Sequence, residues 1–461
     1  MSEERRIRDP IHGFVALGGK EIDVVDTAVF QRLRRLRQLA LAYLVYPGAL
    51  HTRFEHSLGV CQIAGLIADA LKLNGDDRTL VRLAALLHDL GHGPFSHVSE
   101  DALQMYADQD KIAAVGGNTE KIHEVITGRL ICAHPDLDRI LSVKDREQIS
   151  TLLSSGYGDP ILRSIVSGPL DADKQDYLLR DSHYCGVKYG IFDLHQLHQV
   201  LACFDDPIGG RRLMVSPEGV HALEQFVMAK YYLTTQVVRH KVRLITDQML
   251  LRGISLGIDC DRIEPLYRVY NFDGSQEFIQ RYTEWSDDAL LDAFSTDQYR
   301  GTHCHALFAR LRQRRLLKRV FEIPLPGLTV KAREAVLGIS KPPNRQRRRD
   351  LERRLHESMA QAGARFNAEV ADASTFVIAH SYTIKSVKEQ SGDDEGSILI
   401  TRLPQPVPFE EESTFFRSIT DKLNETVFQV YAPVYYETAA ERRELQKRLQ
   451  TPMSATVEAW A

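Results

Sequence analysis

The chain has 461 residues, of which 43% are hydrophobic and 26% are charged, and its formal net charge at pH 7 is −4. This composition is typical of a globular protein with a large core and room for more than one domain. The small net charge does not by itself indicate a nucleic-acid or membrane partner, although a local basic surface remains compatible with it.

The N-terminal stretch MSEERRIRDP is polar and charged, so it is not a secretory signal. No apolar run approaches the roughly 20 residues of a membrane helix, which predicts no membrane partner. Six cysteines lie far apart and never form C-x-x-C, which indicates reduced thiols; they are Cys61, Cys132, Cys185, Cys203, Cys260 and Cys304. We therefore expect a cytoplasmic protein.

Helical periodicity dominates the first two thirds of the chain. SLGVCQIAGLIADALKL and DDRTLVRLAALLHDLGHG repeat apolar residues every three or four positions, with Asp77 as the expected N-cap of the second helix and Gly91 as its end. Further amphipathic helices are predicted in four stretches: HEVITGRLI, LHQLHQVLACF, ALEQFVMAKYYLTTQVVRHKVRLITDQML and HALFARLRQRRLLKRV.

The pattern changes after the turn-rich FEIPLPG. The stretches STFVIAHSYTIKSV and GSILITRL, joined by the turn-like QSGDDEG, and then ETVFQVYAPV, predict strands. The sequence therefore predicts a mainly α fold, with a helical core over residues 1–325 and a smaller C-terminal α+β lobe over residues 326–461.

Adjacent His88 and Asp89 lie at the end of an otherwise apolar helix, in HDLGHGPFSH. Such a pair can bring a nitrogen and an oxygen ligand to one metal ion, although an isolated pair could equally cap the helix. His56 and Asp173 are the candidate partners from elsewhere in the chain. Three or four N/O ligands from separate helices, with positions left for water, are typical of a catalytic site.

Five motifs follow one another in the chain: DPIHGFVAL, FQRLRRLRQL, YPGALHTRFEHSLGV, HDLGHGPFSH and DADKQDYLLRDSHYCG. Together they resemble those of the HD-domain deoxynucleoside triphosphate triphosphohydrolases. The resemblance implies an HD-domain helical core, a homo-oligomer (a tetramer or dimer) and metal-dependent attack of water on the α-phosphate, which releases a nucleoside and inorganic triphosphate. Its ligand set would be His56, His88, Asp89 and Asp173, and this donor set suits Mn²⁺, Mg²⁺, Fe²⁺, Co²⁺ or Zn²⁺.

The resemblance also implies roles for other residues. The catalytic group would be His92, His97, Glu100 and His123, with Glu100 orienting the ring of His97. The phosphates would be contacted by Arg53, His92, Lys174 and Lys230. The sugar would be contacted by Gln38, Leu39, Tyr177 and Asp181. Each of these side chains could also serve a purely structural role.

Two departures from the family pattern are visible. Val238 and Arg239 stand where the family has a tyrosine-bearing stretch against the sugar, which predicts a less strict preference for deoxyribose. Asp26, Gln31 and Arg34 match residues that bind a regulatory nucleotide, but Arg8 replaces an asparagine there.

Two other functions remain open on the sequence alone. One is an HD-type phosphodiesterase or nuclease acting on nucleotides or single-stranded nucleic acid. The other is a nucleotide-binding or nucleic-acid-binding module with a vestigial HD site, which only the arginine run at residues 345–354 favours. That run is more simply a solvated helix face, and His303-Cys304-His305 lacks partners at zinc spacing and is expected to be structural.

Overall fold

The structure is a computed structural model that describes residues 4–114, 121–154, 159–206, 210–339, 344–384, 392–393, 396–402, 405–418 and 425–461. The fold is mainly α, as the sequence predicts. The helices of the first half are α1 Lys20–Val25, α2 Ala28–Gln31, α3 Arg53–Ala70, α4 Gly75–Leu87, α5 His97–Tyr106, α6 Gln109–Ala114, α7 Ile122–Ala133, α8 Pro135–Asp138, α9 Val143–Leu153, α10 Pro160–Val166, α11 Ala172–Cys185 and α12 Leu194–Gln199.

The helices of the second half are α13 Val220–Leu233, α14 Lys241–Asp259, α15 Glu264–Tyr270, α16 Gln276–Glu284, α17 Asp287–Phe294, α18 His303–Arg312, α19 Val330–Leu337, α20 Arg345–Gln361, α21 Phe409–Glu412, α22 Thr414–Ser418 and α23 Ala439–Trp460. The strands are β1 Glu4–Asp9, β2 Gly13–Gly18, β3 Leu201–Asp206, β4 Gly210–Val215, β5 Lys318–Pro324, β6 Arg365–Phe366, β7 Ile378–Ile384, β8 Gly392–Asp393, β9 Gly396–Ser397, β10 Leu399–Ile400, β11 Val407–Pro408, β12 Glu425–Ala432 and β13 Val434–Tyr435.

The central helix of the first part is α3, which packs against α4 and α11. Its apolar residues are buried on nearly every side, so it has the all-round apolar surface of a core helix. The next helix, α4, begins at Gly75, and the side chain of Asn74 accepts the backbone N–H of Asp77. The prediction that Asp77 is the N-cap is therefore wrong by three residues, because the asparagine side chain reaches that N–H first. The helix ends at Leu87, four residues before the predicted end at Gly91, and His88 directly follows it.

Two predicted helices are interrupted by strands. In LHQLHQVLACF, α12 ends at Gln199, and residues from Leu201 onward pair antiparallel with β4. In HALFARLRQRRLLKRV, α18 ends at Arg312, and residues from Lys318 onward form β5. Short apolar runs do not distinguish a helix from a strand, so pairing with distant residues decided both cases.

The C-terminal lobe has its own core around a three-stranded sheet in the order β5-β12-β7. Helices α19, α20 and α23 cover this sheet with apolar residues such as Val336, Leu351, Met359 and Leu449. Strand β5 precedes residue 325, so the sheet of the lobe begins before the predicted boundary. The boundary itself stays a prediction.

The strand predicted within GSILITRL does not pair with β7. Ile400 on β10 instead pairs in parallel with Val215 on β4, so the chain returns to the first part of the molecule. The predicted turn QSGDDEG lies largely outside the described residues, at 390–391 and 394–395. The strand predicted in ETVFQVYAPV is confirmed as β12.

The arginine run forms the start of α20 and is occupied by contacts within the chain. Arg348 is buried and donates to Glu352 and to Gln248 on α14. Arg345 pairs with Asp259 at 3.2 Å, and Arg353 and Arg354 both pair with Asp350. Part of the run therefore joins the lobe to the helical core, and the rest is a solvated helix face.

None of the helices in the described residues is both long enough and apolar enough to span a bilayer. Within the same part of the chain the cysteines form no disulfide.

A glycine sets the distance between α3 and α11, and this leads to a first prediction. A Cβ atom at Gly59 would lie 1.9 Å from Asp176 Oδ1 and 2.4 Å from Arg180 Nη2. Both partners are buried and ion-paired, so they cannot move aside cheaply. We expect Gly59→Ala to lower the free energy of unfolding by about 1–3 kcal/mol, the usual cost of overpacking a core, as measured by urea denaturation.

The control is Gly75→Ala in the first turn of α4, where a Cβ would meet nothing within 4 Å. This variant should be as stable as the unmodified protein. A Gly59→Ala protein with the same stability as the Gly75→Ala protein would contradict this account of the α3–α11 contact.

Candidate metal centre and active site

Three of the predicted metal ligands meet where three helices converge. His56 lies on the first turn of α3, His88 directly follows α4, and Asp173 lies on the first turn of α11. Their ligand atoms lie within 4.8 Å of one another, and the described residues contain no second group of three such side chains.

The carboxylate of Asp89 borders the same centre. Its Oδ1 lies 3.3 Å from His88 Nε2, and its Oδ2 lies 3.7 Å from His56 Nε2. Arg53 forms an ion pair with Asp89. Burial acts to raise the pKa of Asp89, but Arg53 and the neighbouring histidines hold it well below its ordinary value. Asp89 is therefore a charged carboxylate at the edge of the cluster.

The hydrogen bonds of the two histidines present their Nε2 atoms to the centre. His88 Nδ1 lies 2.7 Å from the carbonyl oxygen of Ala85, which can only accept, so Nδ1 carries the proton. His56 Nδ1 lies 2.8 Å from Asp176 Oδ2. His56 Nε2 is buried 3.0 Å from Asp173 Oδ1 but forms no hydrogen bond of suitable geometry. A cation between these atoms fits the donor set, because each Nε2 can offer a lone pair.

Asp176, which the sequence analysis did not identify, is held by a buried ionic network. Arg180 donates two hydrogen bonds to its carboxylate, at 2.7 and 2.9 Å, and a third to Asp9 at 2.9 Å. His12 Nε2 lies 2.7 Å from Asp176 Oδ1. Burial opposes ionisation, but Arg180 and the hydrogen bonds hold the pKa of Asp176 well below its ordinary value. The sequence could have indicated Asp176, because it lies three residues after Asp173 and therefore on the same face of α11.

A stacked pair of histidines lies beside the cluster. The rings of His92 and His123 are 4.2 Å apart and nearly parallel, and His92 Nε2 lies 3.2 Å from Asp89 Oδ1. Glu100 accepts a hydrogen bond from His123 Nδ1 at 2.7 Å. This contact leaves Nε2 of His123 available for proton transfer, since the carboxylate fixes the ring and its tautomer.

The prediction that Glu100 orients His97 is wrong. Its carboxylate also accepts the backbone N–H groups of Ile122 and His123, at 2.7 and 3.0 Å. These N–H groups belong to the first turn of α7, where they have no partner within the helix and attract an acid. Glu100 therefore turns toward α7.

His97 begins α5 after a strained turn. Phe95 and Ser96 have positive φ values of 59° and 54°, which side-chain-bearing residues rarely adopt. The His97 ring is exposed, lies 6.1 Å from that of His92 and is perpendicular to it. The turn therefore presents the imidazole at the opening of the site, and sequence periodicity could not reveal this strain.

Most of these residues line one cavity of about 450 Å³, whereas His56, Glu100 and Asp176 are buried behind its wall. The cavity contains most of the residues predicted to contact substrate, together with the catalytic histidines. The members named in the sequence analysis are Gln38, Leu39, Arg53, His88, Asp89, His92, His97, His123, Asp173, Lys174, Tyr177, Asp181 and Val238. Lys230 is buried on α13 and is not among the lining residues, so the structure does not bring it to this wall.

Contacts within the protein already occupy some of the polar groups on the wall. Lys174 Nζ lies 2.6 Å from Asp171 Oδ2 and 2.9 Å from the carbonyl oxygen of Gly168. Asp181 Oδ1 lies 2.8 Å from Nε2 of His51, a residue that the sequence analysis missed. Gln38 Oε1 is buried without a hydrogen-bond partner, so it is available to a donor on a ligand.

The long predicted helix over residues 222–250 is broken at this wall. Thr234–Val238 forms a π-helical turn between α13 and α14, a feature often found at functional sites. Val238 lines the cavity, whereas the Arg239 guanidinium lies 5.7 Å from the ring of Tyr382 on β7. Arg243, on the first turn of α14 after this break, contributes a positive charge to the cavity wall. The sequence analysis did not identify it.

The residues predicted to bind a regulatory nucleotide lie near one another but outside this cavity. Arg34 donates to Gln31 at 2.7 Å and lies 3.5 Å above the ring of Phe54. Asp26 pairs with Arg5 at 2.8 Å. Their regulatory role stays a prediction. His303 and the backbone of Cys304 both contact Asp261, which agrees with a structural role at the start of α18.

Comparison with known proteins identifies a domain that contains part of this site, including His56, His88 and Asp89 but not Asp173. The family model described as HD domain matches residues 53–155. The chain is 34% identical over 258 residues to the Bacillus subtilis protein YwfO, which has no described function; the match covers 55% of each chain. It is 28% identical over 349 residues to human deoxynucleoside triphosphate triphosphohydrolase SAMHD1, covering 70% of this chain and 55% of that protein.

The matched region spans about half the length of these sequence relatives. Among solved structures, a hypothetical protein from Aquifex aeolicus superposes with a TM-score of 0.69 at 26% identity, covering 98% of this chain and all of that one. The fold is therefore shared over nearly the whole chain, while the sequence similarity to the relatives is concentrated in part of it.

The contact of Asp176 with His56 predicts a role in metal affinity. We expect Asp176→Asn to weaken metal binding by about 10- to 100-fold, because it removes the charge that makes the imidazole a stronger donor. The measurement is titration of metal-free protein with Mn²⁺ in the presence of a competing chelator. The control is Asp69→Asn on α3, whose carboxylate pairs with Arg78 at the surface. Unchanged affinity in a folded Asp176→Asn protein would rule out this role.

Proposed function

Because the chain belongs to the HD-domain, dNTPase-like family, we propose that it hydrolyses (deoxy)nucleoside triphosphates to a nucleoside and inorganic triphosphate in a metal-dependent reaction. One observation carries the proposal. Two histidine Nε2 atoms and the carboxylates of Asp89 and Asp173 converge beside a cavity of about 450 Å³, which His88, Asp89 and Asp173 line together with three further histidines. This size lies within the range of small-molecule sites.

The proposed metal ligands are His56, His88, Asp89 and Asp173. A divalent cation bound there would supply Lewis-acid polarisation of the phosphoryl group. The fit rests on two oriented imidazoles, on the unfilled Nε2 of His56 and on the charged carboxylate of Asp89. Mixed nitrogen and oxygen donors of this kind are compatible with each of the ions named above, of which Mn²⁺ and Mg²⁺ are the first to test.

The proposed chemistry joins a water oxygen to the α-phosphorus and breaks the bond from phosphorus to the 5′ oxygen of the sugar. The departing oxygen needs a proton to leave as a hydroxyl group. His97 lies at the cavity and is the proposed donor of that proton. Desolvation in the cavity and the charges of Arg53 and Arg243 lower the pKa of its ring to about 3, so this role requires the negative phosphates of the substrate to offset those cations. His123 Nε2, with its ring fixed by Glu100, can accept a proton from water. His92 stacks on the ring of His123 and contacts Asp89 through Nε2, so it helps to hold both side chains in place.

Binding of the nucleotide is assigned to the remaining wall residues. Arg53, beside Asp89, and Lys174 place positive charge near the phosphoryl group undergoing attack, where negative charge must be balanced. Gln38, Leu39, Tyr177 and Asp181 form the proposed sugar-binding wall. Lys230 is not assigned a contact. We retain a homo-oligomer as part of the proposal, with its order to be measured.

The activity is tested by product analysis. Metal-free protein is loaded in turn with Mn²⁺, Mg²⁺, Fe²⁺, Co²⁺ or Zn²⁺ and incubated with each dNTP and NTP, singly and mixed, in ¹⁸O-water. We expect inorganic triphosphate that carries the label, because attack at phosphorus puts the water oxygen on the phosphate product. His88→Ala and Asp89→Ala should abolish turnover, whereas His303→Ala, a histidine outside the cavity, should not.

Other products would overturn the proposal. Nucleoside monophosphates or shortened oligonucleotides would indicate a phosphodiesterase or nuclease. Tight nucleotide binding without turnover under every metal would indicate a binding module. Full activity in His88→Ala protein would disprove the assigned metal centre.

The small side chain at Val238 predicts incomplete discrimination between sugars. Valine leaves space where an aromatic side chain would meet a 2′-hydroxyl, and shape alone seldom rejects one added hydroxyl by more than about 10²-fold. We expect slow ribonucleotide turnover beside the dNTP activity and a stronger preference for deoxyribose in Val238→Tyr. The measurement is the ratio of kcat/KM for dGTP over GTP, and likewise for the other bases.

The matched control is Tyr232→Phe, on the exposed side of α13, which should leave that ratio unchanged. If the unmodified protein already excludes ribonucleotides and Val238→Tyr leaves the ratio unaltered, Val238 does not select the sugar. Selection would then fall to Gln38, Leu39 and Tyr177.

A further inference from the structure

The side chain of Arg243 lines the cavity from the first turn of α14. The residue is only 5% exposed. Its Nε and Nη1 atoms are buried and have no hydrogen-bond partner. Its ion-pair partner, Asp247 one turn later on the same helix, lies 3.6 Å from Nε, beyond hydrogen-bonding distance. Arg243 is therefore a cation withdrawn from water whose donors are incompletely satisfied.

Other cations on the same wall differ from Arg243 in this respect. Lys174 donates to Asp171, Arg53 donates to Asp89 and Ser96, and Lys121 lies 3.0 Å from Glu124. Removing a guanidinium from water is costly unless its charge and its donors are matched. An anion in the cavity would supply the hydrogen-bond acceptors that Asp247 does not provide to Nε and Nη1 of Arg243.

The backbone explains why Arg243 reaches the cavity. The π-helical turn Thr234–Val238 ends α13, and His240 then caps α14 by accepting the backbone N–H of Val242. This break directs Arg239 toward Tyr382 on β7, while Arg243, one helical turn further on, lines the cavity. On a continuous helix, two arginines spaced by four residues would lie on the same face and point in the same direction.

We propose that Arg243 binds a phosphate oxygen of the substrate on the α14 side of the cavity, on a different element from the proposed metal ligands, so that the cavity prefers a polyphosphate chain over a single phosphate. Guanidinium groups match phosphate oxygens through paired N–H donors, which lysine cannot reproduce. The identity of the substrate as a nucleoside triphosphate rests on the proposed function. The anion site itself rests on the unfilled donors of Arg243.

The test measures phosphate binding directly. Tripolyphosphate and orthophosphate are titrated into Mn²⁺-loaded protein by calorimetry, and both are used as inhibitors of any nucleotide turnover. The unmodified protein should bind tripolyphosphate more tightly than orthophosphate. Arg243→Gln should weaken tripolyphosphate binding by about 10- to 100-fold, the range for losing hydrogen bonds to a charged group, while orthophosphate binding and metal content stay within twofold.

The matched control is Arg239→Gln, which removes a guanidinium on the preceding turn that does not line the cavity. Its tripolyphosphate affinity should stay within twofold of the unmodified protein. Arg243→Lys should lose affinity by several-fold, because one ammonium replaces a fork of donors. Circular dichroism and the melting temperature confirm that each variant is folded.

Failure of this inference can be distinguished from failure of the proposed function. If no nucleotide is hydrolysed but Arg243→Gln still loses tripolyphosphate binding, the anion site stands and the activity does not. If nucleotides are hydrolysed and folded Arg243→Gln binds tripolyphosphate as tightly as the unmodified protein, the anion site is wrong. If Arg243→Gln does not fold, equal affinity of the unmodified protein for tripolyphosphate and orthophosphate would overturn it.

Discussion

The interaction on which the rest of the site depends is the buried contact of Asp176 with His56. The carboxylate is fully buried between Arg180, His12 and His56, and each contact is 2.9 Å or shorter. Buried charges are tolerated only when such partners surround them, and removing one partner typically costs about 3–5 kcal/mol. The need to satisfy this carboxylate therefore fixes where α11 lies against α3, and with it the orientation of one proposed metal ligand.

The same network makes the fold and the candidate active site interdependent. Asp9 and His12 come from the hairpin formed by β1 and β2, so the first strands of the described chain hold Arg180 and Asp176 in place. Gly59 allows α3 to approach closely enough for these contacts. A substitution at any of these positions would alter the proposed metal centre without changing a ligand, because the position of the His56 ring depends on the position of the Asp176 carboxylate.

The other side of the site follows a different principle, in which backbone geometry places the side chains. Glu100 turns toward the unsatisfied N–H groups at the start of α7, which brings it to His123 rather than His97. Two residues with positive φ present His97 at the start of α5. A π-helical turn separates Arg239 from Arg243. The last two features are local departures from regular helix geometry, and both place side chains on the wall of the cavity, as strained backbone often does at catalytic sites.

The amino-acid sequence by itself determined the mainly α class and the helices that carry His56 and precede His88, and its motifs, through the family resemblance, pointed to His56, His88 and Asp173 as one group. These rest on apolar periodicity and on short motifs, which depend on neighbours in the chain. Tertiary structure alone decided that residues 201–206 and 318–324 are strands, that β10 joins β4, and that Lys230 is absent from the wall occupied by Arg243. It also decided the partners of Asp176 and Glu100. These depend on contacts between residues far apart in the chain, where the free energy of burying and pairing a charge outweighs the weak preferences of the local sequence.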